Sequence, residues 1–323
     1  MVYWPQPGDG WETAAPADLG FHDGRLTEAV AFAEAHEMPW SRDLEEQLGK
    51  GEFEPPPWNE ILGPVWPRGG PAGVVLRSGR IAATWGDPDR ADLTFSAAKS
   101  YLAVLAGVAL RRGLIRDLHD PVAAYALDDD FVPEQNRTIT WHHLLQQTSE
   151  WEGTLWDKPD LVDRNRVLGG SGGGPDKGKH RDLQAPGAFW EYNDVRVNRL
   201  SLSLLQVFRR PLADVLRQEV YDPIGCSHGW GWHAYRNASF EIDGEVMPSV
   251  PGGTHWGGGI RISARDQARL GLLIQRLGTW NGREILSEDY IDAMTTPCPI
   301  KSDYGYLWWL NTGRELFPGA PET

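Results

Sequence analysis

The sequence predicts an α+β fold, on three observations. Two short β-rich runs flank Ser78-Gly79, and a helix with apolar residues at three- and four-residue spacing follows almost at once. Strand signal then returns only after a long, helix-rich middle, at Ile260 to Ile262 and at Tyr304 to Leu310.

Taken in order, residues 1 to about 70 read as an arm packed on a core. Asp23 to Glu37 sets Leu26, Val30, Phe32 and Ala33 at helical spacing, and the cluster Pro55, Pro56, Pro57 then breaks the pattern. Gly73 to Trp85 reads as a hairpin turning at Ser78-Gly79. The next segment, Ser96 to Arg112, carries Tyr101, Leu102, Leu105, Val108 and Ala109 on one face, with Gly113 as its stop. Its apolar run from Tyr101 to Leu110 is too short to cross a bilayer and suits a buried helix.

Short helical pieces and loops fill residues 114 to 255, with a flexible stretch from Gly169 to Gly174 and a helical run from Val197 to Val207. Ser263-Ala264-Arg265-Asp266 has capping-box spacing and opens a helix through Leu277, stopped by Gly278. The expected organisation is an arm at 1–70, a sheet-containing α/β portion from 71–113 and 256–323, and a helical subdomain at 114–255.

Composition narrows the function classes. The 323 residues are 41% hydrophobic and 24% charged, which excludes wholesale disorder and a small disulfide scaffold. With 45 acidic against 31 basic side chains the net charge is -14, so nucleic acid and anionic membrane surfaces are not expected partners. The N-terminus has neither a basic region nor an apolar core of a secretory signal, and a cytoplasmic location is expected. Cys226 and Cys298 fit no zinc spacing and read as buried structural thiols. The 16 tryptophans cluster at Trp141, Trp151, Trp156 and Trp190, and again at Trp308-Trp309, as core or as an aromatic pocket wall.

The most specific chemistry lies in Thr94-Phe95-Ser96-Ala97-Ala98-Lys99-Ser100. A Ser at a helix start with Lys at i+3 sets hydroxyl and amine on one face, one turn apart, as a nucleophile and its base. Burial and the positive end of the helix dipole are expected to make Lys99 neutral enough to accept a proton, and the Ser96 N–H to help bind an oxyanion. The plainer reading is an N-cap serine beside a surface lysine.

A second segment, Pro186-Gly187-Ala188-Phe189-Trp190-Glu191-Tyr192-Asn193-Asp194, makes a resemblance specific. With Ser96/Lys99 and Trp141-His142-His143-Leu144-Leu145-Gln146-Gln147-Thr148-Ser149, it resembles the serine β-lactamase-related hydrolases. These comprise class C β-lactamases, penicillin-binding DD-peptidases, family VIII esterases and 6-aminohexanoate-dimer hydrolases. The resemblance spans about residues 70 to 310 and implies an antiparallel sheet flanked by helices, with an inserted helical subdomain and a cleft between them. It implies that Ser96 is acylated while Lys99 and Tyr192 shuttle protons, with no metal or organic cofactor. Asp194, Trp151 and Trp190 are the expected substrate-binding residues.

Two departures stand out. Asp194 occupies the place of the Asn in a Tyr-x-Asn motif, with Asn193 shifted by one; a carboxylate there is expected to pair with Lys99 or with a substrate amine, and counts against typical β-lactam binding. The resemblance also implies a Gly-rich third motif on a strand after Tyr304 to Leu310, whereas the sequence ends at Thr323. The sheet is therefore expected to lack its C-terminal strands, as in a truncated product, a protein completed by a partner's strand, or one of weak activity. His255 precedes the expected position of that motif.

Competing motifs fail on context. Gly169-Gly170-Ser171-Gly172-Gly173 matches G-x-S-x-G without the strand and helix a nucleophile elbow needs. Gly173 to Lys179 begins a phosphate loop, but His180 stands where Ser or Thr is required. His142, His143, His180, His228 and His233 have no metal-ligand spacing, and Glu150 and Glu152 suit a pocket rim or a solvated loop. The expectation is a serine hydrolase of a small-molecule ester or amide, with linear amide oligomers of the 6-aminohexanoate kind among the candidates. Its rival is a non-catalytic binding or scaffold protein of the same fold.

Overall fold

The computed structural model describes residues 2–8, 10–52, 54, 56, 58–169 and 171–322. Pro55 and Pro57 of the proline cluster, Gly170 and the side chain of Ser171 lie outside the described residues.

The arm contributes helices α1 (Asp23–Ala35) and α2 (Leu44–Gly49). The α1 pattern was expected to bury four apolar residues, yet only Leu26 is buried; Phe32 is 63% exposed and stacks on His36 at 3.7 Å. Asp43 caps α2 by accepting from the Glu45 and Glu46 amides. Near the start of the arm, Ala14 donates to the Ile81 carbonyl, and Ile81 donates back to Glu12. This stitches the arm along the edge of the hairpin β1 (Gly73–Arg77) and β2 (Arg80–Trp85). The hairpin turns as its sequence requires, with φ +53° at Ser78 and +82° at Gly79.

Strand β3 (Asp92–Leu93) leads into a single 3₁₀ turn, Phe95–Ala97, and only then into α3 (Ala98–Arg111). Ser96 thus sits in a tight turn ahead of the α-helix. The run Tyr101 to Ala109 is buried all round, and Gly113 ends the segment at φ +68°. Next come α4 (Trp141–Leu145), capped by Thr140, and the short hairpin β4 (Thr154–Leu155) and β5 (Lys158–Pro159).

Helix α5 (Asp194–Phe208) starts three residues earlier than its apolar periodicity shows, because Asn193 caps it by accepting from the Val195 and Arg196 amides. It is buried on nearly every face, so its polar residues must be paired internally. Arg199, with no exposed surface, donates to Asp128 at 2.8 Å and Asp130 at 2.7 Å. Helices α6 (Leu212–Leu216) and α7 (Asp222–Ile224) follow, then β6 (Gly231–His233) and the hairpin β7 (Ser239–Ile242) with β8 (Glu245–Pro248).

Strand β9 (Gly259–Ile262) pairs antiparallel with β3 on one side and β6 on the other. This three-stranded sheet therefore draws one strand from within residues 114–255. The hairpin β1–β2 forms a sheet of its own, so the antiparallel strands are divided among small sheets with helices packed about them. Ser263 caps α8 (Ala264–Gln275), but the reciprocal half of its capping box is missing: Asp266 instead accepts from the Ser227 amide and hydroxyl. Helix α9 (Glu288–Thr295) packs on α3, where the Tyr290 hydroxyl donates to the Ala103 carbonyl at 2.5 Å.

Tyr304 to Leu310 is not a strand. Leu307 adopts φ +58°, outside the extended region, and its amide donates to Leu145 at 2.9 Å; only Tyr304 and Trp309 bridge. Among the described residues no helix is long and apolar enough to cross a membrane. Both cysteines are buried, and burial pushes the Cys226 thiol well above its ordinary value.

Candidate active site

Ser96 and Lys99 are positioned by the 3₁₀ turn and the first turn of α3, so the i, i+3 spacing becomes a contact: Lys99 Nζ donates to Ser96 Oγ at 3.0 Å. Phe95, immediately before the serine, has φ +50°, a backbone conformation that costs a bulky residue of order 1–3 kcal/mol. The ring of Trp40 meets Phe95 edge-on at 5.5 Å and helps hold this turn.

Lys99 is 1% exposed and also donates to the Gly252 carbonyl at 3.1 Å and to Asp194 Oδ1. Gly252 belongs in this place because a Cβ there would stand 2.4 Å from Val197 Cγ1. Asp194, at the first turn of α5, also takes Arg166 Nη1 at 2.5 Å. His255 joins them, with Nδ1 3.3 Å from Asp194 Oδ2 and Nε2 3.2 Å from Arg166 Nη2. An arginine only donates, so Nε2 is the acceptor and Nδ1–H faces the carboxylate. Beneath them Asp163 accepts the Asp194 amide at 2.9 Å and lies 3.3 Å from Lys177, whose partner at 2.5 Å is Glu54 of the arm. Three cations and three carboxylates, with His255 between them, form one buried cluster under the serine.

Burial alone lowers the affinity of Lys99 for its proton, yet the Asp194 carboxylate outweighs it and holds the ammonium above its ordinary value. Burial likewise opposes ionisation of Asp194, and the Lys99 and Arg166 cations, with the His255 N–H beside the carboxylate, overcome it, keeping this carboxyl well below its ordinary value. The expectation of a neutral Lys99 is therefore corrected: the resting amine is charged because an anion sits where the sequence pattern calls for a neutral amide.

Tyr192 reaches the site through its ring, 4.7 Å from Lys99 Nζ and 5.3 Å from the Arg166 guanidinium. Among the described residues no hydrogen bond joins its hydroxyl to Ser96 or Lys99. Trp309 stacks on the Tyr192 ring, with centroids 5.9 Å apart. Trp190 contacts Tyr192, Tyr304 and Trp309 and is half-buried behind them. Trp151 is 1% exposed and belongs to the core, away from the cavity over Ser96. Glu150 is fully buried beneath Arg181 and Arg196 and holds the loop before α5, rather than rimming a pocket.

The cavity over the serine holds about 690 Å³ and is lined by Ser96, Tyr192, Arg166, His255 and Trp309 together with arm residues. Arg166, His255, Asp163 and Lys177 were not read as site residues. Asp163 and Arg166 stand at i, i+3, the one local sign of pairing, and His255 sits among glycines that let the backbone approach Lys99.

Comparison with known proteins gives this arrangement a family. The Beta-lactamase family model matches residues 68–319. No curated protein sequence matches the chain. A candidate 6-aminohexanoate-dimer hydrolase from Bacillus anthracis is similar in structure, with TM-score 0.53 at 16% identity over 74% of this chain; the chain spans 65% of that structure's length. A candidate β-lactamase from Bacteroides dorei aligns with TM-score 0.54 at 17% identity, covering 83% of this chain and 77% of its own. EstCE1, described as a hydrolase with promiscuous acyltransferase activity, aligns with TM-score 0.50 at 16% identity, over 74% of this chain and 77% of its own. These likenesses share the fold, and the family match extends over most of the sequence: the chain belongs to the serine β-lactamase-related family.

Proposed function

We propose that the chain is a serine hydrolase that cleaves a small-molecule ester or amide through an acyl-enzyme on Ser96. The observation that carries this reading is the 3.0 Å contact between Ser96 Oγ and Lys99 Nζ at the floor of an open cavity. In the reactive form one proton fewer is shared among Lys99, Tyr192 and Asp194. Ser96 Oγ bonds to the carbonyl carbon, and its proton fills that vacancy. The same proton then passes to the departing alkoxide or amine as the bond to the carbonyl carbon breaks. Water takes the place of the leaving group, repeats the exchange, and releases the acid. The hydrolase descriptions of the Bacillus anthracis structure and EstCE1 agree with this class of reaction. The absence of nucleic-acid or anionic membrane partners is part of the same proposal, resting on the net charge of -14.

The non-catalytic alternative draws its support from Asp194, which ties Lys99 up as a charged pair. Intact-mass analysis after treatment with a small fluorophosphonate separates the two. One adduct, lost in Ser96→Ala, is expected; a folded wild-type protein that takes no adduct between pH 6 and pH 10 would exclude the hydrolase reading.

A further inference from the structure

The family match begins at residue 68, but part of the cavity wall comes from before it: Trp40 and Leu44 both line the space. This wall is held in place. Arg68 donates to the Trp40 carbonyl at 2.5 Å and to the Met38 carbonyl at 3.1 Å, Asp43 caps the helix that Leu44 opens, and Leu44 is 1% exposed. Tyr192 and Trp309, stacked on each other, line the same cavity.

The charged side chains at the wall are engaged within the protein. Arg68 Nη1 lies on Glu37 at 2.6 Å, and Glu37 is held at about 2 by hydrogen bonds from Arg42 and Arg68. Asp92 accepts from Arg90 at 3.1 Å and from the Gly69 amide. Arg166 and His255 both lean on Asp194. Arg68 and Arg166 of the wall each already lie on a carboxylate of the protein, so a substrate carboxylate would have to compete with Glu37 or Asp194 for them and would lose its hydration in doing so.

From this, and resting on the hydrolase reading above, we infer that the arm is a specificity element: Trp40, on a wall that buried Leu44 anchors, holds a bulky, uncharged apolar group of the ester or amide whose carbonyl meets Ser96. Trp40 acts as a substrate-holding residue and, through Phe95, touches the turn of the nucleophile without taking part in bond-making. This disfavours zwitterionic amide oligomers and acids as substrates.

The test compares 2-naphthyl acetate, its 6-carboxy derivative and methyl acetate on the full chain. Trp40→Ala is expected to lower kcat/KM on 2-naphthyl acetate by about 10- to 100-fold, mostly through KM, with methyl acetate within about threefold; Trp40→Phe loses less. The wild type is expected to cleave the 6-carboxy ester at least about tenfold more slowly than its parent. Equal losses on both neutral esters would reduce Trp40 to a structural prop, and equal rates on the carboxylated ester would overturn the uncharged preference. Calorimetric binding of 2-acetylnaphthalene, which has no scissile bond, judges the inference without turnover. About tenfold weaker binding to Trp40→Ala is expected, and an unchanged Kd overturns the inference even where Ser96 is labelled. Failure of wild-type Ser96 to be labelled sinks the hydrolase reading instead, and leaves the calorimetric result standing.

Discussion

Asp194 is the counter-ion of Lys99. The two side chains are 4% and 1% exposed, and the pair joins the first turn of α5 to the first turn of α3 directly beneath Ser96. Removing one member leaves a buried charge without its partner, which costs about 3–5 kcal/mol. Asp194→Asn is therefore expected to unfold at clearly lower urea concentration than the wild type, although it restores the amide of the Tyr-x-Asn pattern. An unchanged midpoint would show that Lys99 is neutral in the folded protein.

The same pair sets a pH window. Asp194 is depressed, so its contribution is present above its ordinary 3.8 and is lost as pH falls through the lower folded value. Lys99 is raised, so its contribution is present below its ordinary 10.5 and is lost as pH rises through the higher folded value. The difference in Tm between wild type and Asp194→Asn is expected to be flat between these two edges and to shrink beyond each. A difference that varied steadily from pH 5 to pH 9 would contradict the pairing.

Acylation should report the raised Lys99 as well. If the reactive form has one proton fewer, the rate of fluorophosphonate labelling climbs into the alkaline range, and Asp194→Asn moves the climb to lower pH, because burial then acts on Lys99 with less opposition. Lys99→Met is expected to lower the rate by about 10²–10⁴-fold, the usual range for losing a proton-transfer group. A rate profile that Asp194→Asn leaves in place would remove Lys99 from the titration.

Gly252 offers a steric test. An added Cβ would meet Val197 Cγ1 at 2.4 Å and come within 3.4 Å of Lys99 Cγ, in a core with no spare volume. Gly252→Ala is expected to cost about 1–3 kcal/mol of stability. It should also slow labelling of Ser96, since the Gly252 carbonyl accepts from Lys99. Wild-type stability and rate together would show that this segment gives way freely.

What could be read ahead of the structure was local. Ser96 and Lys99 stand one helical turn apart, and Ser78-Gly79 demands the left-handed turn it adopts, so chemistry and geometry share a few residues. Arg166, His255 and Glu54 reach the same cluster from irregular segments far apart in the chain, where no period betrays them. The departure at Asp194 points to the pair that Lys99 makes 95 residues away, whereas burial and the helix dipole taken alone give a neutral Lys99 because they leave that carboxylate out. The Tyr304 to Leu310 strand failed for the opposite reason: its aromatic content suits a strand, but tertiary packing bends Leu307 out of the extended region.

The left-handed Phe95 has a wider meaning. A peptide carrying Thr94 to Ser100 would contain every atom of the Ser-x-x-Lys signature and would relax at once, since nothing in it compels a bulky residue to keep φ +50°. Only the surrounding body, including Trp40 against the Phe95 ring, makes that posture permanent. Readiness at Ser96 thus belongs to the folded whole rather than to its four-letter signature, and partial unfolding of the arm would disarm the serine without altering a single atom of the motif.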